Sequence, residues 1–239
     1  MERMRREEYN KLREMYKSFH RIPDASAFAG CVFEAIAHRT FTRTWPEGVE
    51  LLSPVRLTSD GKENNPTFSA CSPFGSDDPP PENKERDSVI VDLNATALSD
   101  VTLCSDSYYI PSAANNPLFD SFTISANYAK STATIYVYQV TISAEHKGSA
   151  KGYPIVRKIM SRVCDLLKEG SPQREPVVKV NYFLVTPLME GQTECQWKMS
   201  TGWDEGWRHN DHRGDVFWIR VVAPGTSCVR NPIFGPAGL

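Results

Sequence analysis

The chain is poor in cysteine and has no long apolar run. Its six cysteines are scattered through 239 residues, and no two of them form a C-x-x-C pair. This spacing argues against a zinc or dithiol motif and favours reduced, mostly buried thiols. No apolar run approaches the about eighteen residues that a membrane-spanning helix needs, and the charged N-terminus lacks the apolar core of a signal peptide. We therefore expect an intracellular protein outside the membrane.

Net charge is also nearly absent. The chain has 27 basic and 29 acidic residues, a net charge of −2, which argues against a protein that coats nucleic acid with its whole surface. The charges are nevertheless segregated. Residues 126–170 contain seven bases and three acids, whereas residues 60–100 contain nine acids and three bases. The basic region favours a local nucleic-acid surface, although a solvated helix face would give the same count.

Several catalytic signatures are missing. The chain contains no G-x-x-x-x-G-K-[ST] phosphate-binding loop, no G-x-S-x-G nucleophile turn and no internal repeat. The run from Arg208 to Arg213 contains two histidines in a spacing that could suit a metal, but its turn-like composition favours a loop.

The apolar periodicity predicts helices and strands in alternating blocks. Helices are expected at 2–20, 27–41 and 153–168, and strands at 88–94, 101–110, 116–124, 133–143, 177–185 and 216–222. The order predicts an α/β fold with a mixed central sheet and an α-β-β-β-α-β core, as in restriction-endonuclease-like proteins. We divide the chain into a charged helical leader (1–24), one domain (25–222) with a disordered, Pro- and Asp-rich insertion (58–87), and a C-terminal tail (223–239).

Two neighbouring predicted strands contain the most informative polar residues. Asp120 lies in the first strand, and Gln139 and Thr141 lie two apart in the second, so these two should project to one face of an antiparallel hairpin. An acid opposite such a pair is the arrangement by which PD-(D/E)xK nucleases hold Mg²⁺. In this chain Gln replaces the usual Glu, and Thr replaces the usual Lys.

A third candidate ligand comes from the second predicted helix. Glu34 is the only acid in an apolar stretch, and His38 follows four residues later on the same face. A carboxylate in apolar surroundings needs a partner, which could be a metal ion, His38 or an arginine. Mg²⁺ or Mn²⁺ prefers hard oxygen ligands and keeps several waters, so Asp120, Gln139 and Glu34 would suffice as its protein ligands.

Basic residues after the second strand are candidates for contacts to phosphate. A threonine at position 141 cannot stabilise developing negative charge as a lysine would, so Lys147 or His146 is the possible substitute. Lys151, Arg157 and Lys158 lie where a predicted helix begins, and its free amides could also hold a phosphate of DNA. Simple solvent exposure is the favoured interpretation of Lys147 and His146.

Simpler explanations exist for each member of the set. A single Asp at a strand start is usually a turn or capping acid, a buried Gln is usually a satisfied core amide, and Glu34 with His38 could be a helix-surface pair. The order in which they occur favours a joint site: a helix acid, a strand acid, Q-x-T on the next strand and then a basic helix.

Three short motifs resemble a known family. Residues 29–38 (AGCVFEAIAH), 116–122 (NPLFDSF) and 138–143 (YQVTIS) are similar to the restriction-endonuclease-like effector domain of Crinkler-type fungal proteins. More distantly, they resemble retrotransposon hot spot proteins and Mrr-like nucleases. The similarity runs from about residue 19 to residue 218, and it implies that Glu34, Asp120 and Gln139 are active-site positions.

The resemblance implies a function and partners. The chain is expected to be a Mg²⁺-dependent endodeoxyribonuclease-like domain acting on DNA in the nucleus, with an upstream or separate P-loop NTPase module as a possible partner. Mrr-like enzymes keep a lysine where this chain has Thr141, and this departure from the family pattern bears on cleavage more than on the fold. The alternative is an inactive module on the same fold that binds nucleic acid or protein, and a plain globular module without a nucleic-acid role is the third hypothesis.

Overall fold

The computed structural model describes residues 2–42, 54–61, 67–70, 85–93, 102–113, 116–143, 145–188, 195–200 and 215–221. Within these ranges the chain forms an α/β fold with three helices and ten strands. The helices are α1 (Glu2–Phe19), α2 (Ser26–Thr42) and α3 (Tyr153–Gly170). The strands are β1 (Val55–Ser59), β2 (Thr67–Ala70), β3 (Asp87–Val91), β4 (Ser107–Pro111), β5 (Ser121–Asn127), β6 (Thr132–Val140), β7 (Glu145–Lys147), β8 (Val177–Pro187), β9 (Gln196–Lys198) and β10 (Asp215–Val221).

The central sheet is mixed and has seven strands in the order β3-β4-β5-β6-β8-β10-β1. Strands β4, β5 and β6 form an antiparallel meander, and β8 then lies parallel to β6 and to β10. Strand β1 continues into a smaller sheet with the order β1-β2-β9-β7. The predicted mixed sheet is therefore confirmed. The described order is longer than the predicted order of helix, three strands, helix and strand, because β1, β2 and β3 lie between α2 and the meander and β7 lies between the meander and α3.

Strand β6 is buried on both faces because helices cover the sheet from both sides. Ile135 and Val137 share a core with Val156, Ile159 and the other inward residues of α3. The alternate residues of β6 pack into a second core with α1 and α2. Burying each such aliphatic side chain contributes about 1.5–3 kcal/mol relative to exposure. This two-sided burial explains why the run reads as continuously apolar instead of alternating.

Helix α1 is part of the packed structure, which differs from the solvated leader that its charge predicts. Tyr9 and Tyr16 lie seven residues apart, on one side of the helix, and both are buried. The ring of Tyr16 lies 5.7 Å from that of Phe33 on α2. Two aromatic residues on one stripe thus anchor an otherwise charged helix.

Helix α2 is confirmed at its predicted position, but it is not buried all round. Ala29, Phe33 and Ile36 are fully buried, whereas Phe28 is 45% exposed and Cys31 is exposed. Of the four cysteines in the described ranges only Cys195 is buried. The expectation of mostly buried thiols is therefore wrong for these four residues.

Boundaries in the strand region differ from the prediction in several places, most of all at β4, which begins at Ser107 and not at residue 101. Strand β5 begins at Ser121, so residues 116–120 precede it, and β6 ends at Val140. The span predicted as a disordered insertion includes the end of β1, all of β2 and the first residue of β3. Residues 71–84, its Pro- and Asp-rich centre, lie outside the described residues, as do the tail after residue 221 and the Arg208–Arg213 run.

Candidate functional site

Asp120 lies at the point where the antiparallel pairing of β5 with β6 begins. Its backbone N–H donates to the Tyr138 carbonyl at 2.8 Å. Its carboxylate Oδ2 accepts from the backbone N–H of Val140 at 2.6 Å. Since β5 starts only at Ser121, the Asp120 carboxylate supplies an acceptor that a ladder carbonyl would otherwise provide. The strand end itself thus fixes the orientation of this side chain.

Gln139 contacts the same carboxylate. Its Nε2 donates to Asp120 Oδ2 at 2.7 Å and lies 3.4 Å from the Val140 carbonyl oxygen. Asp120 Oδ1 and Gln139 Oε1 accept no hydrogen bond from the described residues. Neither of these two oxygens is therefore engaged by the described part of the chain. The expected proximity of Asp120 and Gln139 is confirmed, although their roles as ligands stay predictions.

The surroundings of Asp120 disfavour its negative charge. Burial is the main reason that the pKa of Asp120 is raised to about 7, and the negative charge of Glu34 acts in the same direction. The hydrogen bond from the Val140 N–H, which has a larger effect than Glu34, and the charge of His38 lower the pKa but do not offset burial. Glu34 is thus within electrostatic reach of Asp120. A cation between the two carboxylates would relieve this unfavourable pairing.

Glu34 approaches from helix α2 and is held by its neighbour one turn later. Its Oε1 lies 3.3 Å from Nε2 of His38. His38 in turn contacts Tyr108 of β4, with Nδ1 and the phenolic oxygen 2.9 Å apart. Glu34 is 46% exposed and His38 is 16% exposed, so the carboxylate faces solvent while the imidazole is covered. The predicted partnership of Glu34 with His38 is therefore present.

The three predicted ligands reach the end of the sheet from different sides. Side chains alternate along β6, and Val137 packs on the α3 side, so the alternation places Gln139 on that face. Glu34 belongs to α2, which covers the opposite face. Asp120 precedes β5 at the sheet end. There its carboxylate accepts a hydrogen bond from Gln139, and the charge of Glu34 affects its pKa.

Thr141 differs from its expected geometry. Strand β6 ends at Val140, so the strand alternation that would align Thr141 with Gln139 does not extend to it. The Thr141 hydroxyl accepts from the backbone N–H of Ser143 at 3.1 Å. It thereby stabilises the turn that follows the strand. Local side-chain bonding of this kind explains why the predicted strand to residue 143 is too long.

The basic turn after β6 packs beside the Asp120 segment. An ideal Cβ on Gly152 would lie 2.1 Å from Leu118 Cβ, and one on Gly148 would lie 3.3 Å from Leu118 Cδ1. Leu118 precedes Asp120 by two residues, so the turn and the candidate ligands adjoin. Lys147, the residue before Gly148, is exposed at the end of β7. The sequence does not predict β7, since it indicates only a turn here.

His146 is a poorer substitute for the missing lysine than Lys147. Its ring meets the buried ring of Trp197 edge-on at 6.0 Å. Burial lowers the pKa of His146, which disfavours the charged imidazolium. Trp197 is fully buried and belongs to the core.

Lys198 is a basic residue that the sequence analysis did not identify. The register of β7 with β9 places Lys147 directly beside Lys198. Both are exposed, and neither forms an ion pair with a described residue. Like charges directly opposite each other destabilise a strand pair. Because these strands are about fifty residues apart in sequence, no local pattern could have indicated the pair.

The other predicted nucleic-acid contacts lie around the start of α3. Lys151 is exposed in a short 3-10 turn, Ala150–Gly152, and Lys158 is exposed on the helix. Arg157 is half-buried, and its charge weakly opposes the burial that raises the pKa of Tyr182 in the core. Lys151 and Lys158 therefore remain candidates for phosphate contacts, whereas Arg157 also interacts with the core.

Comparison with known proteins gives no match: no family, no curated protein and no solved structure is similar to this chain. Within the described ranges no group of three His, Cys, Asp or Glu side chains is arranged to hold a metal. The candidate site instead combines two carboxylates with an amide. None of the described helices is long and apolar enough to cross a membrane.

Proposed function

We propose that the chain is a divalent-metal-dependent, endonuclease-like domain that acts on DNA phosphodiesters and has a restriction-endonuclease-like core of the Crinkler-effector type. One observation supports this most directly. The desolvated carboxylate of Asp120 is bonded to Gln139 and lies within electrostatic reach of a second carboxylate, Glu34. Two carboxylates that raise the energy of each other's charge at a sheet end would be stabilised by a shared cation, which supports a metal site.

The donor set suits Mg²⁺ or Mn²⁺. Asp120 Oδ1, Gln139 Oε1 and a Glu34 oxygen are hard ligands, and magnesium needs few protein ligands because it keeps bound water. When bound, such an ion would polarise a phosphoryl oxygen and favour ionisation of water. The protein's own groups orient these ligands: Val140 N–H and the Gln139 amide hold Asp120, and His38 holds Glu34.

The lysines supply the contacts to the nucleic-acid backbone. Lys147 and Lys198 form an exposed, like-charged pair beside the turn that packs on Leu118. Phosphate between them would remove their mutual repulsion, so the pair supports an anionic ligand. Lys151 extends this basic surface along the same turn. Lys147 is the candidate to stabilise charge on the phosphate in place of a lysine at position 141.

A second candidate function is favoured by Thr141. Its hydroxyl is engaged with its own backbone, and no lysine replaces it on β6. A domain that binds DNA through the same surface without cutting it would keep the lysine pair and lose the chemistry. The two candidates share the fold and differ only in cleavage.

Cleavage of plasmid DNA distinguishes them. The purified protein should nick supercoiled plasmid in Mg²⁺ or Mn²⁺ and not in chelator. The nicking rate of Asp120→Asn should be at least 100-fold lower than that of the wild type. The matched control is Asp165→Asn, since Asp165 is an exposed acid on α3. Salt-dependent binding without nicking would support the inactive module. Nicking that persists in Asp120→Asn would overturn the proposed site.

A further inference from the structure

A chain of three hydrogen bonds connects the Glu34 carboxylate to the start of β5. His38 Nε2 contacts Glu34 at 3.3 Å, His38 Nδ1 contacts the Tyr108 hydroxyl at 2.9 Å, and that hydroxyl contacts Ser121 Oγ at 2.5 Å. Tyr108 and Ser121 are fully buried. Ser121 directly follows Asp120, so the chain ends beside the other carboxylate of the candidate site. No motif predicted this connection.

If His38 is neutral, the donors and acceptors of this hydrogen-bond chain can be assigned in only one way. A neutral imidazole has one N–H, and the Glu34 carboxylate can only accept. His38 must therefore donate from Nε2 to Glu34, which leaves Nδ1 as an acceptor. Tyr108 then donates to Nδ1, and Ser121 donates to the Tyr108 oxygen. Burial keeps the Tyr108 hydroxyl protonated, because it raises the pKa of this phenol well above its ordinary range.

Every donor in this arrangement points towards Glu34, which matters because that side chain is half-exposed. An exposed glutamate samples many rotamers, and ordering it costs entropy that a metal ion would otherwise have to offset. Hydrogen bonds aligned in one direction polarise and strengthen one another. Outer residues that orient a metal-binding carboxylate in this way typically change metal affinity by 10- to 100-fold.

We propose that His38, Tyr108 and Ser121 are positioning residues that hold the Glu34 carboxylate beside Asp120. This inference rests on the proposed function, in which the two carboxylates share a divalent cation. Beyond His38 on α2, it adds Tyr108 on β4 and Ser121 on β5 to the residues that determine metal affinity. None of them needs to touch the metal or the substrate.

The protein offers a matched pair of variants for the test. Tyr108→Phe removes the central hydroxyl and keeps the ring, whereas Tyr138→Phe removes a second buried hydroxyl on the same face, bonded to Thr123 at 3.2 Å and outside the chain. Mn²⁺ affinity, measured by titration calorimetry, should fall about 10-fold in Tyr108→Phe and less than 2-fold in Tyr138→Phe. The loss of Mn²⁺ affinity in Ser121→Ala should lie between the losses in these two variants. Equal Mn²⁺ affinities in the two phenylalanine variants would overturn the positioning role.

A spectroscopic measurement in chelator separates this inference from the proposed function. Histidine ¹⁵N spectra at pH 8 should show His38 protonated at Nε2 alone in the wild type. The ¹⁵N shifts of its ring should differ in Tyr108→Phe. An Nδ1-protonated or doubly protonated ring would overturn the hydrogen-bond direction. If the wild type binds no Mn²⁺, the proposed function fails and the positioning role fails with it. Wild-type binding with equal affinities in both variants overturns only the positioning role.

Discussion

The carboxylate of Asp120 combines burial, two donated hydrogen bonds and a neighbouring acid. The two donors, Val140 N–H and Gln139 Nε2, favour its charged form, but burial and Glu34 oppose that form more strongly. Such a group is stable either as a neutral acid or as the ligand of a cation. In the absence of metal we therefore expect its ionisation to cost folding free energy.

Stability in chelator should depend on pH through this residue. The pKa of Asp120 is about 7 when folded and 3.8 ordinarily, so the folded state binds the extra proton between these values. The contribution of protonated Asp120 to the free energy of unfolding is fully present below about pH 4 and is lost as pH rises through 7. Urea unfolding should show the wild type losing up to about 3 kcal/mol relative to Asp120→Asn between pH 4.5 and 7.5. Parallel pH profiles for the two proteins would contradict this.

Glycine matters at Gly152 because of close packing. A side chain there would meet Leu118, a fully buried residue, at 2.1 Å. Gly152→Ala should destabilise the fold by about 2–3 kcal/mol, because the backbone or Leu118 must move. Gly30→Ala is the control, since no atom lies within 4 Å of its added Cβ inside α2, and it should stabilise by about 0.5–1 kcal/mol. Denaturant midpoints test both, and a neutral Gly152→Ala would show that the turn is not packed on the Asp120 segment.

Among the elements, the small sheet places like charges together. The pairing of β7 with β9 brings Lys147 beside Lys198 without a described acidic partner. Such an arrangement weakens the strand pair unless a bound anion compensates for it. The two strands therefore link the stability of this sheet to ligand binding.

Replacing Lys198 should affect binding and stability in opposite directions. Lys198→Gln should raise the free energy of unfolding by about 0.2–1 kcal/mol without ligand. For duplex DNA in chelator, it should reduce the slope of log affinity against log salt by about 1. The control is Lys130→Gln, since Lys130 lies in the β5–β6 connection at the other end of the hairpin. An unchanged slope for Lys198→Gln, or an equal change for Lys130→Gln, would exclude the pair as a phosphate contact.

At the level of the whole molecule, local patterns predict most elements. The three helices and the β5–β6 hairpin follow from periodicity and short connections, and the hairpin alone brings Asp120 next to Gln139. Strand ends are less well predicted, since Thr141 bonds its own backbone and Ser121 begins the ladder later than the apolar run suggests. The longer helices and strands are thus accessible from sequence, whereas their limits depend on individual hydrogen bonds and β1, β2, β7 and β9 were not predicted.

Long-range pairing accounts for what the sequence does not predict. The small sheet joins the consecutive strands β1 and β2 to β9 and β7, which are distant along the chain from them and from each other. Tyr108 contacts His38 across seventy residues. Neither residue pattern nor spacing encodes such contacts, so Lys198, Tyr108 and Ser121 were missed. The packing of α1 could have been expected from the spacing of Tyr9 and Tyr16.

Shared metal binding by Glu34 and Asp120 is tested most directly by a double-mutant cycle of Mn²⁺ affinity. Calorimetric titration should give one site in the wild type, with affinity at least 10-fold weaker in Glu34→Gln and in Asp120→Asn. Because both carboxylates would hold one ion, the double variant should lose less than the sum of the two single losses in free energy. Additive losses, or a single variant with wild-type affinity, would contradict a cation shared by these two side chains.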